Sequence, residues 1–158
     1  MKFVKGTKEW NMFGELYSLF KKWSIKDKIN HKELWASCVE FGHKYREEKD
    51  GFQSLSYQLV CDLHLFIMTE KGNRTFTFDN DSEEKQMFTE FYRLCQKYWE
   101  PVPEDSDAFW TECIREFTEF EEKFSVINSM PFALSKNWAI TIVEYLDKRN
   151  ANRVEKNV

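Results

Sequence analysis

Apolar residues recur at helical spacing along almost the whole chain. Over residues 8–23, Trp10, Phe13, Tyr17 and Phe20 alternate with Met12, Leu16, Leu19 and Trp23 and cover about half of a helix circumference. That width suits a helix packed against two neighbours. A second helix is predicted over 31–48, burying Leu34, Trp35, Cys38, Phe41 and Tyr45, and Lys49-Asp50-Gly51 ends it with glycine. The third, over 54–71, is the most apolar, through Leu55, Leu59, Val60, Leu63, Phe66 and Ile67. Asp81 to Glu84 reads as a capping-box-like start for a fourth helix reaching Trp99. A fifth follows over 107–124 with Phe109, Trp110, Cys113, Phe117 and Phe120 inward, and a sixth over 134–150 with Trp138, Ile142, Tyr145 and Leu146. The last eight residues are polar and are expected to fray. Only Arg74-Thr-Phe-Thr-Phe78 alternates like a strand, and it can pair with residues 2–5 as a small two-stranded ribbon.

The pattern occurs twice. Thr7–Trp23 returns 75 residues later as Ser82–Tyr98, with Glu9/Glu84, Met12/Met87, Phe13/Phe88, Glu15/Glu90, Tyr17/Tyr92, Leu19/Leu94 and Lys22/Lys97 unchanged. The register continues through Trp35/Trp110, Cys38/Cys113 and Val39/Ile114, and an offset of 79 then aligns Leu55-Ser56 with Leu134-Ser135. A self-match at fixed period predicts an all-α fold built as a tandem duplication of a three-helix unit, six helices about a pseudo-twofold axis. The units span 1–73 and 74–150, share one core, and are followed by the polar tail 151–158.

Composition narrows the class. With 27 aromatics and 42% hydrophobic residues the chain is not disordered. No apolar run reaches the roughly 20 residues that span a bilayer, and MKFVKGTKEW lacks the apolar centre of a signal peptide. A cytoplasmic location is expected. Cys95 stands where the first unit has Phe20, and Cys61 where the second has Ile140, so the four cysteines are expected to behave as reduced, buried hydrophobes.

Charge separates the two units. Residues 1–75 carry 13 basic and 10 acidic residues, a net of +3, whereas 76–158 carry 10 and 17, a net of −7. Between Asp79 and Glu122 alone, 14 acids face four bases.

No catalytic signature is present. There is no nucleophile elbow, phosphate-binding glycine loop or Cys-x-x-Cys, and the ligand-like pairs Cys61 with His64 and His43 with Glu47 have no histidine in the second unit, so neither metal nor cofactor is expected. The conserved-by-repeat acids Glu15 and Glu90 sit beside Lys22 and Lys97 and are expected in structural ion pairs. Trp35 and Trp110 are expected in the core, while some of Trp10, Trp99 and Trp138, which lack aromatic counterparts, are expected at the surface as protein-binding anchors. The acidic balance disfavours direct nucleic-acid binding.

The acidic stretch is the remaining functional candidate. Glu112, Glu116 and Glu119 share one face of the fifth helix, offset from Trp110, Cys113 and Phe117, and are expected to be wet. With Glu100, Glu104, Asp105 and Asp107 in the proline-stiffened loop before it, they form an acidic surface suited to a basic protein partner. The general character of the chain, small, acidic, aromatic-rich and helical without catalytic motifs, resembles accessory proteins of phages and mobile elements, including inhibitors of bacterial defence nucleases. That resemblance implies a non-enzymatic inhibitor acting in the host-cell cytoplasm on a nucleic-acid-handling target. The alternative is a structural protein that homo-oligomerises through exposed aromatics. Third comes an enzyme whose groove gathers Glu15, Glu90 and a histidine.

Overall fold

The computed structural model describes residues 2–70, 77–104, 106–125 and 133–156. Among the described residues the fold is all-helical, with six helices: α1 (Lys8–Ile25), α2 (His31–Lys44), α3 (Phe52–Glu70), α4 (Glu83–Tyr98), α5 (Ser106–Phe124) and α6 (Leu134–Lys156). Side-chain oxygens of Thr7, Asn30 and Ser82 accept the N–H groups of Trp10, Glu33 and Lys85, so three helix starts are satisfied by short polar caps.

Several boundaries differ from those predicted by the pattern, each for a local reason. The second helix stops at Lys44, four residues early, because the Tyr45 ring turns inward against Phe41 and Phe52 and its N–H closes on Gly42 and His43. Asp50 and Gly51 then take left-handed backbone (φ 59° and 79°), and the chain reverses into α3 two residues earlier than expected. At Gly42 the need is steric, since an added Cβ would lie 2.2 Å from the Tyr57 ring. The last helix continues to Lys156, six residues past its expected end, because no glycine or proline interrupts it. No strand occurs among the described residues. Residues 74–76 of the expected ribbon lie outside them. At its other positions Phe3 and Phe78 are buried in the core.

Helices α1–α3 and α4–α6 meet where α3 packs on α6 and α1 on α4. The joint is aromatic, and its contacts come in exchanged pairs. Phe13 meets Tyr92 edge-on at 5.7 Å, and Tyr17 meets Phe88 edge-on at 5.3 Å. Phe3 reaches Tyr92 at 5.7 Å while Phe78 reaches Tyr17 at 5.4 Å. In each case adding 75 to one residue number and subtracting it from the other converts one pair into its mate. The indole N–H of Trp138 donates to the Leu59 carbonyl at 3.0 Å, and these residues are 79 apart. The Trp138 ring stacks on Phe91 at 4.8 Å and meets Phe20 and Phe88 edge-on. Burial follows the same offset: Leu55/Leu134, Ser56/Ser135, Leu63/Ile142, Ile67/Leu146 and even Glu70/Arg149 are buried as pairs.

Two expectations about the core are corrected. Trp35 is 56% exposed, and its counterpart Trp110 is only partly buried. The inward stripe of α2 is Leu34, Cys38, Phe41 and Tyr45, at steps of four, three and four residues, and Trp35 lies one position beside it. Trp99 and Trp138 are both buried, which leaves Trp10, 41% exposed, as the outward member of its group. All four thiols are free, but Cys61 is on the surface rather than in the core.

Candidate functional site

The acidic residues of α5 are tied to neighbouring bases. Arg115 forms ion pairs with both Glu112 and Glu119, three and four residues away on its own helix. Glu116 faces α4 rather than water. It accepts from Lys97 Nζ at 2.7 Å and from the Tyr98 hydroxyl, and its side chain is only 15% exposed. Burial alone would raise the Glu116 pKa, but Lys97 and Tyr98 hold the carboxylate and the net shift is downward. The expected wet face therefore reduces to Glu112 and Glu119, each sharing one arginine. Glu100 and Glu104 are exposed ahead of α5 and Asp107 is exposed in its first turn; Asp105 lies outside the described residues.

Glu15 and Glu90 do form ion pairs, with partners other than the expected Lys22 and Lys97. Glu15 meets Lys44 at 3.1 Å and Glu90 meets Lys123 at 2.8 Å, two lysines that are themselves 79 residues apart. The two carboxylates line separate surface hollows and do not converge. Among the described residues no three His, Cys, Asp or Glu side chains come together to hold a metal ion.

The most distinctive surface lies on α2 and α3. In α3 the outward positions step by four and three residues through Ser54, Gln58, Cys61, Leu65 and Met68. Its two acids, Asp62 and Glu70, both point inward and are buried. A 19-residue helix thus shows solvent no Asp, Glu, Lys or Arg, in a chain that is 32% charged. Leu65 and Met68 are each 40% exposed.

The second helix completes this face. His31 and Trp35, one turn apart, project toward α3, where the Trp35 ring meets His64 edge-on at 5.4 Å and His31 Nδ1 lies 2.8 Å from the Met68 sulfur. Burial, and then the neighbouring His31, push the His64 pKa below its usual value, so that ring stays neutral at pH 7. The face offers a large aromatic, a thioether and an aliphatic side chain around two imidazoles. Trp and Met are enriched at such contacts because they supply adaptable apolar area. The pattern signal for it is the second apolar stripe of α3, at Cys61, Leu65 and Met68, which the 79-residue sequence offset matches only in part: positions 140, 144 and 147 of α6 carry Ile, Glu and Asp on its outer side.

Comparison with family models, with curated proteins and with solved structures gives no match.

Proposed function

We propose that this chain is a non-enzymatic protein-binding module anchored by the α2–α3 face. The observation that carries the reading is the 19-residue helix with no charged side chain on its outer side, bordered by Trp35. Exposed apolar area costs solubility, and a contiguous patch of it marks an interaction surface more often than chance exposure. A single exposed tryptophan with a flexible methionine beside it, once covered by a partner, is the kind of anchor that dominates interface energies.

A second reading keeps the acidic surface as the docking site of an inhibitor, with a basic, nucleic-acid-handling protein as its target. The exposed carboxylates Glu100, Glu104 and Asp107 favour it. The two readings divide cleanly by mutation. Trp35→Ala with Met68→Ser removes the apolar anchor, and Glu100→Gln with Glu104→Gln and Asp107→Asn removes the exposed charge. Affinity for a partner captured from the native cell should fall at least about tenfold with the first pair and remain within about threefold with the second. The opposite outcome transfers the function to the acidic loop. Light scattering on the parent protein separates binding to a foreign partner from self-association, which would appear as a concentration-dependent mass lost with Trp35→Ala.

We infer further that the two helix sets are copies of one three-helix unit related by a pseudo-twofold axis. The exchanged aromatic pairs and the matched burial support this. Their specialisation is consistent with it: one copy presents an uncharged outer helix and the other the acidic surface.

A further inference from the structure

The helix crossing that joins the two sets holds a polar groove of about 470 Å³ between α3 and α6, a size within the range of small-molecule sites. Its walls carry Asp50, Gln58 and Asp62 from the α3 side and Thr141, Glu144 and Lys148 from α6, over an apolar floor that includes the Tyr145 ring. Asp62 is the unusual member. It is 94% buried, with 6% exposure, one turn from residues that fill the core. Its Oδ1 accepts from Gln58 Nε2 at 2.9 Å and the Thr141 hydroxyl lies near the carboxyl, whereas Oδ2 is buried with no partner in hydrogen-bond geometry. A buried carboxylate oxygen without a donor costs on the order of 1–3 kcal/mol or more, so a purely structural side chain at this position would be better as asparagine or leucine.

The donor that does reach Asp62 comes from an exposed residue. Gln58 lies on the outer side of α3, and its amide N–H occupies the place that an incoming N–H donor would take. Glutamine has several rotamers and leaves such a position easily. Asp50 and Glu144 add carboxylates farther along the groove, against the single cation Lys148 among the described lining residues. Asp50 and Asp62 are twelve residues apart, which along a helix axis is on the order of 15–18 Å. The acids are therefore strung out along a trough instead of gathered around a point, and no described cluster could hold a metal ion.

The geometry points to a site for an extended organic cation, a linear polyamine or the ammonium or guanidinium end of a basic side chain, whose N–H groups replace the Gln58 amide at Asp62 and reach Glu144 while its methylenes lie over the Tyr145 ring. Alkyl chains with terminal ammonium groups match both the spaced carboxylates and the apolar floor, and a cation over a tyrosine ring adds to the attraction. This site shares Ser54 and Gln58 with the outer side of α3 but involves none of Trp35, Leu65 and Met68, and it does not depend on the reading of the α2–α3 face.

Isothermal titration of the full chain with spermidine, with an arginine-rich peptide and with magnesium chloride at matched ionic strength tests the assignment. Spermidine or the peptide should bind with one-to-one stoichiometry and a Kd of about 1 mM or tighter, and which of the two does so identifies a free amine or a basic side chain as the natural source. Asp62→Asn should weaken that binding about tenfold or more, Glu144→Gln should weaken it less, and Gln58→Ala should leave it equal or tighter. Circular dichroism on each variant shows whether the fold is kept, and Glu144→Gln, an exposed change, carries the test if Asp62→Asn does not fold. Binding that magnesium matches at equal ionic strength, binding unchanged in folded Asp62→Asn and Glu144→Gln, or no saturable binding of either organic cation overturns the proposal.

Discussion

Replacing Asp62 by asparagine should stabilise the protein at neutral pH, and the gain should vanish in acid. Burial raises the Asp62 pKa from 3.8 to about 6, against the opposing effect of the Gln58 amide and the nearby Thr141 hydroxyl. A carboxyl whose folded pKa lies above its unfolded value holds its proton more tightly when folded. Its favourable contribution is complete below about pH 4, is lost as pH rises from about 4 to about 6, and stays lost above that. A shift of about two units at about 1.4 kcal/mol each gives roughly 3 kcal/mol as the upper bound for the penalty at pH 7. Asparagine has the same shape, accepts from Gln58 through its oxygen and never ionises. Urea unfolding of parent and variant at pH 4, 5, 6, 7 and 8 measures the difference directly, and subtraction cancels every other titrating group. The variant should match the parent at pH 4 and exceed it by about 1–3 kcal/mol at pH 7 and 8. A difference that is flat across this range, or a variant weaker than the parent at pH 7, would refute the reasoning and place the Asp62 carboxylate in a well-solvated setting.

Trp138→Ala should cost about 3–5 kcal/mol and Trp35→Ala less than about 1 kcal/mol in denaturant melts, because the first ring is enclosed and the second is half exposed. Double-mutant cycles on Phe13–Tyr92 and Tyr17–Phe88 should give couplings of about 0.5–1.5 kcal/mol that agree with each other within about 0.5 kcal/mol, as related pairs across one axis would; unequal couplings would speak against the duplication. Glu116→Gln should destabilise by about 1–2 kcal/mol because it loosens Lys97 and Tyr98, whereas Glu112→Gln should stay within about 0.5 kcal/mol. At pH 8 a thiol reagent should modify Cys61 alone in the native protein: Cys38 and Cys113 are buried with pKa values pushed up to about 12, and Cys95 is enclosed completely. Early modification of more than one thiol would show that the core opens.

Much of this architecture is legible in the sequence because each helix carries a stripe at a definite spacing. The caps at Thr7 and Ser82, the reversal at Gly51 and the buried positions of α1 and α4 all follow from it. Trp35 was misplaced because its size was weighed above its register. The run Leu34, Cys38, Phe41, Tyr45 already identifies the inward line, and Trp35 sits about 100° around from Leu34. For α3 the difficulty was physical. A helix apolar on nearly all sides looks buried, and nothing local tells which of its two stripes lacks a covering neighbour. Asp62 could have been found, since it falls three after Leu59 and four before Phe66 on the buried line. Glu116 could not have been, because its wet or dry state depends on where Lys97 and Tyr98 of another helix arrive.

The bond from the Trp138 indole to the Leu59 carbonyl has a consequence for how such a fold can change over time. Where a dyad passes between two separate identical chains, a residue lying on the axis meets its own copy, so there a donor meets a donor and an acid meets an acid. A continuous polypeptide is free of that restriction. One position can supply the indole N–H while its counterpart supplies only backbone, and a carboxyl at 62 can look across at a hydroxyl at 141 where two carboxyls would repel. Each substitution at the axis can then be tested singly instead of in duplicate. The middle of the molecule, which symmetry would make the most constrained place, becomes the place where the two halves can diverge first.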